Sequence, residues 1–357
     1  MNIVLTAGFK LGLFTNGLNQ NIVFLAELFE DLGHNVFLLL NQKRSDLKDS
    51  PDHLRMVLDK ELDQLPPIDM LLQAGWCLPA GGVDKLKKRN PSLRHVHIHY
   101  GNRILADIER CGWNDSVSLP PHEVDEIWTS PHYEFSVEYF KIYYNNPKVF
   151  ILPYIWAPTY MDIHEKIWNK GGLTSQYDPS APKRLGILEP NLNLTKNCLP
   201  SIYICESAFR ADPSSFERLR VYCSAKFTSK KYFRSLMWNL DLQKEGKIEY
   251  LPRVKVSKIF SQQSNVIVSH QLLNALNYTY LEALYYNIPL VHNSEFIKEA
   301  GYYYPDYSLE QGSAQLRYAL THHDSRLDEY KSSAKEVLWR YSPENPEVKR
   351  SYTELLK

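Results

Sequence analysis

The residues best suited to chemistry cluster between Asn274 and Asn293, in the run NALNYTYLEALYYNIPLVHN. Asn277 can cap a helix that begins at Tyr278, and the N–H groups and positive dipole end of that helix suit an anion such as a diphosphate. Glu282 follows one to two turns in. A carboxylate there can accept hydrogen bonds from two vicinal ribose hydroxyls, while Leu281, Ala283 and Leu284 help form a sheet-facing side. Asn287-Ile288-Pro289 stops the helix, and Leu290-Val291 reads as a strand with His292 and Asn293 at its carboxyl end. Ligands of open α/β sheets bind at such ends. The segment therefore suits a nucleotide-sugar site, and it reads equally as a capped core helix followed by a core strand.

Other chemistry-bearing residues are more scattered. His95, His97 and His99 alternate along one apolar run, so on a strand all three face the same side. That is a conceivable metal cluster, yet no carboxylate nearby completes it. At the end of its strand, His99 fits a substrate-facing group better: its ordinary pKa near ~6.5 suits a hydrogen-bond donor or a base. Core packing accounts for it nearly as well. Asp-x-Asp, which in a second type of sugar-transfer site holds a divalent ion on a diphosphate, is absent. The five cysteines form no Cys-x-x-Cys pair and are odd in number, which indicates neither a disulfide framework nor zinc.

The elements that must position these groups follow an alternating order. Met1 to Ala7 reads as a strand, Asn16 to Asn21 as a polar loop, Ile22 to Leu32 as a helix ended by Gly33, and Val36 to Leu40 as a second strand. Gly17 would let a ligand approach the backbone, although a tight turn explains it as well. Further strands are expected at 70–72, 96–100, 126–129, 149–152, 183–187, 266–269 and 290–291, with helical stretches between. Pro158 to Pro182 is rich in Gly, Pro, Ser and Thr and reads as a connection between two α/β halves.

This order resembles, from end to end, the retaining glycosyltransferases of the family 4 type. It implies a GT-B α/β fold of two Rossmann-like domains facing each other across a cleft. The expected division is an acceptor domain over 1–157, a connection over 158–182, a donor domain over 183–345 and a helix over 346–357 that crosses back to the first domain. In the family, two glutamates eight positions apart flank a glycine-containing loop. Glu282 matches the ribose-binding one, and Asn274 occupies the place of the one that contacts the transferred sugar. Ala275 and Asn277 replace the loop glycines.

The resemblance carries further roles. Lys196 matches a diphosphate-binding lysine, and Asn191 stands where the partner arginine would be. Arg253 could restore that charge, and the backbone of Val254 could read the edge of a nucleobase. Plain solvated side chains are the alternative for both cations. Leu276, Asn277 and Tyr278 form the donor loop and helix entrance, with Gly17 approaching from the first domain. His270 falls near the transferred sugar, and His99, Tyr100 and Asn102 fall on the acceptor side.

Composition agrees with two globular halves. The 357 residues are 44% hydrophobic, enough for two cores, and no apolar run approaches the length of a membrane helix. A net charge of zero argues against nucleic-acid binding. The charge is uneven: residues 1–157 carry 15 basic and 19 acidic side chains, and residues 158–357 carry 26 and 22. The amino terminus begins directly as a strand without a signal-like segment, so the expected location is cytoplasmic.

The resemblance thus implies a hexosyl- or pentosyltransferase that moves a sugar from a nucleoside diphosphate sugar to a glycan hydroxyl. It would use no cofactor or metal, with fixed cations and helix N–H groups stabilising the leaving diphosphate, and would retain configuration. A non-catalytic nucleotide-sugar binding protein and a GT-B sugar-nucleotide epimerase remain open. The first would explain Asn191 and Asn274; the second would need an acid/base pair at the sugar.

Overall fold

The computed structural model describes residues 1–9, 12–13, 17–42, 51–113, 123–146 and 148–357. The chain divides into two compact units, one comprising Met1–Ala157 with Tyr341–Lys357 and the other Pro158–Arg340.

The first unit is built on a seven-stranded parallel sheet. Its strands are β1 (Asn2–Ala7), β2 (Asn35–Leu40), β3 (Arg55–Leu58), β4 (Met70–Gln73), β5 (Arg94–His99), β6 (Glu126–Thr129) and β7 (Val149–Ile151). They lie in the order β3-β2-β1-β4-β5-β6-β7. Val4, Leu5, Leu38, Leu39, Leu71 and Leu72 are fully buried on the central strands. Such near-continuous apolar runs are what a parallel sheet covered on both faces requires. The helix Pro346–Leu356 packs on this unit: Arg94 Nη1 and Nη2 donate to the carbonyls of Leu356 and Leu355 at 3.1 and 3.0 Å, closing off its C-terminus. Tyr352 anchors its middle, with its hydroxyl donating to Pro153 O at 2.7 Å.

The second unit carries a six-stranded parallel sheet. Its strands are β8 (Arg184–Ile187), β9 (Arg218–Val221), β10 (Ile248–Tyr250), β11 (Val266–Val268), β12 (Leu290–His292) and β13 (Tyr302–Tyr303), in the order β10-β9-β8-β11-β12-β13. The strand order reverses between β8 and β11, and ligands of open α/β sheets bind at the carboxyl ends of strands at such a reversal. Residues 158–182 belong to this unit. Their helix Thr159–Asn169 is held by Tyr286, whose hydroxyl donates to Met161 O at 2.9 Å.

Three local expectations need correction. The expected loop around Gly17 is instead the first turn of the helix Gly17–Asp31, with Asn19, Gln20 and Asn21 already buried in it. Asn16 lies outside the described residues. Gln20 Nε2 donates to Leu13 O at 3.0 Å, so polar side chains that looked loop-forming serve the preceding backbone. Strands β3 and β9 were not anticipated. The sequence of β9, RLRV, alternates arginines with apolar residues, and Arg220 pairs with Glu249 of β10 at 2.9 Å. Among the described residues, no helix is long and apolar enough to cross a membrane.

Candidate functional site

In the second unit, the segments that follow β8, β10 and β11 carry most of the expected residues. β11 ends at Val268, and Ser269, His270 and Gln271 follow it into a loop that reaches Asn277. Asn293, just beyond β12, pins that loop: its Oδ1 accepts from Gln271 N and its Nδ2 donates to Gln271 O, both at 3.0 Å. Leu272 N donates to Thr195 O at 3.1 Å, tying the loop to the segment that carries Lys196.

Asn277 caps the helix Tyr278–Tyr285. Its backbone is extended, with φ −152° and ψ 160°, and its Oδ1 accepts from Tyr280 N at 3.1 Å. Leu276 and Tyr278 beside it are buried. Glu282 lies one turn inside this helix and is 5% exposed. No side chain among the described residues hydrogen-bonds its carboxylate, and burial pushes its pKa up to about 7. Burying an acceptor-only group without donors is costly.

The loop after β8 supplies the opposite charge. Asn191 adopts a left-handed conformation with φ 54°, which asparagine tolerates better than most residues. Its Oδ1 accepts from Cys198 N at 2.8 Å and its Nδ2 donates to Glu189 O at 2.9 Å. Its N–H donates to Lys196 O at 3.1 Å, closing the loop so that Lys196 is half-buried. Burial lowers the Lys196 pKa; Glu189 opposes that shift and Arg253 adds to it, which puts all three charges in one neighbourhood. Arg253 is exposed and Val254 half-buried, both in the turn after β10. Lys226 reaches the same loop, its Nζ donating to Asn191 O at 2.9 Å.

Sequence reasoning missed three residues at the centre of this arrangement. Glu189, two positions beyond β8, is 3% exposed. Its Oε1 accepts from Ser269 Oγ, its Oε2 from Gln271 Nε2 at 3.2 Å, and Gln271 Oε1 accepts from Asn274 Nδ2. Burial raises the Glu189 pKa to about 7 against the pull of Ser269, Lys196 and Gln271. The available signal was positional: Ser269 directly follows a short apolar strand and Glu189 lies two positions beyond another. His270 is also buried, 2.8 Å from the Tyr304 hydroxyl through Nδ1, and burial lowers its pKa to about 4, so the ring is neutral at pH 7.

The first-unit candidates are differently engaged. His99 Nε2 lies 2.9 Å from the Tyr144 hydroxyl, and the ring stacks on His97 at 4.3 Å and on Phe140 at 4.5 Å. Burial drives its pKa well below the usual histidine value and that of His97 to about 3. Burial likewise raises the Tyr100 pKa. Asn102 serves the helix Arg103–Trp113, its Oδ1 accepting from Leu105 N at 3.1 Å. His95 Nε2 contacts Gln73 Nε2 instead of its strand neighbours. Among the described residues, no three histidine, cysteine or acidic side chains are grouped to hold a metal ion. Gly17 is exposed at the first turn of its helix.

Solved structures share this fold across the whole chain. A glycosyltransferase from Rickettsia africae is 11% identical with a TM-score of 0.61, over 99% of this chain and 97% of that one. The Anabaena protein HepE, solved with UDP and glucose, is 10% identical with a TM-score of 0.58, over 100% and 99%. A DNA-modifying β-glucosyltransferase, solved in the presence and absence of its substrate uridine diphosphoglucose, is 10% identical with a TM-score of 0.54, over 99% of each chain. The fold is therefore GT-B, with its two parallel sheets of seven and six strands. No curated protein matches the sequence. The family described as "Protein of unknown function (DUF2827)" matches residues 3–356.

Proposed function

We propose, for a chain that belongs to the DUF2827 family of proteins of unknown function, that it transfers a sugar from a nucleoside diphosphate sugar to a hydroxyl of a glycan acceptor. One observation carries this reading: Glu282 is a buried carboxylate with no side-chain donor among the described residues, set one turn inside an Asn277-capped helix. A ribose supplies two adjacent hydroxyl donors, and the helix N-terminus then receives the diphosphate.

The remaining roles follow from chemistry. Lys196 and Arg253 neutralise the diphosphate, and the Val254 backbone meets the base. Asn274 and the neutral His270 hydrogen-bond the transferred sugar. Leu276 and Tyr278 line the helix entrance. Tyr100, Asn102 and Gly17 belong with the acceptor-side unit. UDP is the first donor nucleotide to test, because HepE was solved with UDP and glucose and the β-glucosyltransferase takes uridine diphosphoglucose. A hexosyltransferase of the family 4 type, acting in the cytoplasm, is the specific form of the proposal.

Retention of configuration fits the site better than inversion. An inverting reaction needs a base poised near neutral pH, whereas the His99 imidazole is stacked, engaged with Tyr144 and shifted far below that range. In a retaining transfer the leaving phosphate itself takes the proton of the incoming hydroxyl. Lys196, Arg253 and the helix N-terminus hold that phosphate without a metal.

The test is incubation with labelled UDP-glucose, UDP-N-acetylglucosamine, GDP-mannose and ADP-glucose, followed by product analysis. Hydrolysis or transfer from one donor is expected, with the anomeric configuration kept. A protein that binds the nucleotide yet turns over none of them would leave a non-catalytic nucleotide-sugar binder as the reading, and an isomerised donor would mark an epimerase.

A further inference from the structure

We propose that Glu189 is the positioning residue of the donor site, supplying the counter-charge on the loop that carries Lys196 and, through Gln271, orienting the Asn274 side chain. The inference rests on the nucleotide-sugar reading above and deepens it. Glu189 leaves β8 and Ser269 leaves β11, so the hydrogen bond between their side chains spans the point where the strand order reverses. The second carboxylate oxygen continues the link through Gln271 to Asn274. A single buried carboxylate thereby joins the lysine-bearing loop to the loop that leads into the Asn277-capped helix.

Chemistry explains why a charge is kept here. A carboxylate cannot itself meet a diphosphate, since both are acceptors and both are anionic. It can hold a cation ready for one. The charged groups that face Lys196 are Glu189 and Arg253, and only Glu189 favours the ammonium form. Lys196 in turn faces Glu189, and the other titratable neighbours of that carboxylate, Cys198, Cys223, Tyr280 and Tyr304, are all pushed toward their neutral forms by burial. Glu189 is therefore the counter-charge that keeps the half-buried lysine cationic until the diphosphate arrives. The same carboxylate fixes the orientation of Gln271, and hence the direction in which Asn274 presents its amide to the sugar.

The experiment is calorimetric binding of UDP, with GDP and ADP as alternatives, from pH 7.5 to pH 10, above the last ionisation of the diphosphate. Glu189→Gln keeps the side-chain shape and removes the charge. Its UDP affinity should fall by up to ~10-fold on the alkaline side of the titration, and the pH at which binding is lost should move down by about one unit, a tenfold change in the lysine ionisation constant. Adding Lys196→Arg should restore a flat profile, because arginine stays protonated without a counter-charge. Loss of packing alone would not move the titration, and arginine would not rescue it.

A second arm does not depend on the folding of Glu189→Gln. Gln271→Ala leaves the carboxylate in place, so it should keep the pH profile for UDP while lowering the preference for UDP-glucose over UDP at least ~3-fold. A wild-type pH profile in Glu189→Gln, or an unchanged preference for the sugar in Gln271→Ala, would overturn the proposal. Wild-type protein that binds none of the three nucleotides would overturn the donor reading and this inference together, and that result precedes any variant.

Discussion

Replacing Glu282 by glutamine should raise the thermal midpoint relative to wild type, and by more at pH 8 than at pH 5. The carboxyl pKa is raised from 4.5 to about 7 in the folded chain. As pH rises through that window the unfolded chain gives up the proton more readily, so the folded state loses stability, and the loss is complete above the folded value. Glutamine has nothing to ionise, which is why its advantage should vanish as pH falls toward 4.5. Parallel melts at the two pH values check this; an equal shift at both would mean that Glu282 is not a buried, titrating acid. Lys196→Ala should weaken UDP binding by roughly 1.5–3 kcal/mol, the range for hydrogen bonds to charged groups, and leave uridine binding nearly unchanged. Calorimetry with both ligands decides it, and equal losses would remove Lys196 from the phosphate. Glu282 and Lys196 were visible as residue types at telling positions. Glu189, Ser269 and Gln271 were not, because their meaning arises only when two strands 80 residues apart become neighbours.

The helix Tyr278–Tyr285 is eight residues long, so its cap matters to more than local order. Asn277→Ala should cost about 1 kcal/mol of unfolding free energy, and Asn277→Asp should cost much less, because aspartate caps as well. Denaturant unfolding of both variants gives the comparison, and equal stabilities would show that the cap contributes nothing. At the next element, Gly301 has φ +74°, and a Cβ there would lie 2.8 Å from the His292 ring and 2.9 Å from Leu290 O. Gly301→Ala should therefore destabilise by more than ~1 kcal/mol and disturb the 2.8 Å contact between His292 Nε2 and Ala300 O. At this scale the apolar strands β1, β2, β4 and β11 were legible because buried parallel strands read as continuous runs. β3 and β9 were hidden by short length and by arginines, which in β9 pair across to Glu249. The helix from Gly17 was hidden because Asn19, Gln20 and Asn21 look like loop residues until the Gly12 and Leu13 carbonyls that Asn19 and Gln20 serve are seen.

The whole chain is neutral, has two α/β units each built on a parallel sheet, and carries Glu189, Glu282, Lys196 and the Asn277-capped helix in the second of them. The order of strands and helices carried the GT-B expectation despite weak motifs, because a two-unit α/β arrangement is written in the periodicity of the entire sequence. Which nucleobase binds was not legible, since the base contact proposed at Val254 is a backbone one and has no telltale side chain. If the fixed cations and helix N–H groups stabilise the leaving diphosphate, turnover should survive EDTA with at most a modest change. Full loss restored by Mn²⁺ or Mg²⁺ would exclude that electrostatic arrangement. The nucleotide site itself is tested most directly by calorimetric titration of UDP, GDP and ADP into wild-type protein and into Glu282→Ala. One nucleotide should bind the wild type, and the variant, still folded, should lose roughly 1.5–3 kcal/mol of that affinity. No binding of any nucleotide, or the same affinity in both proteins, would contradict the account.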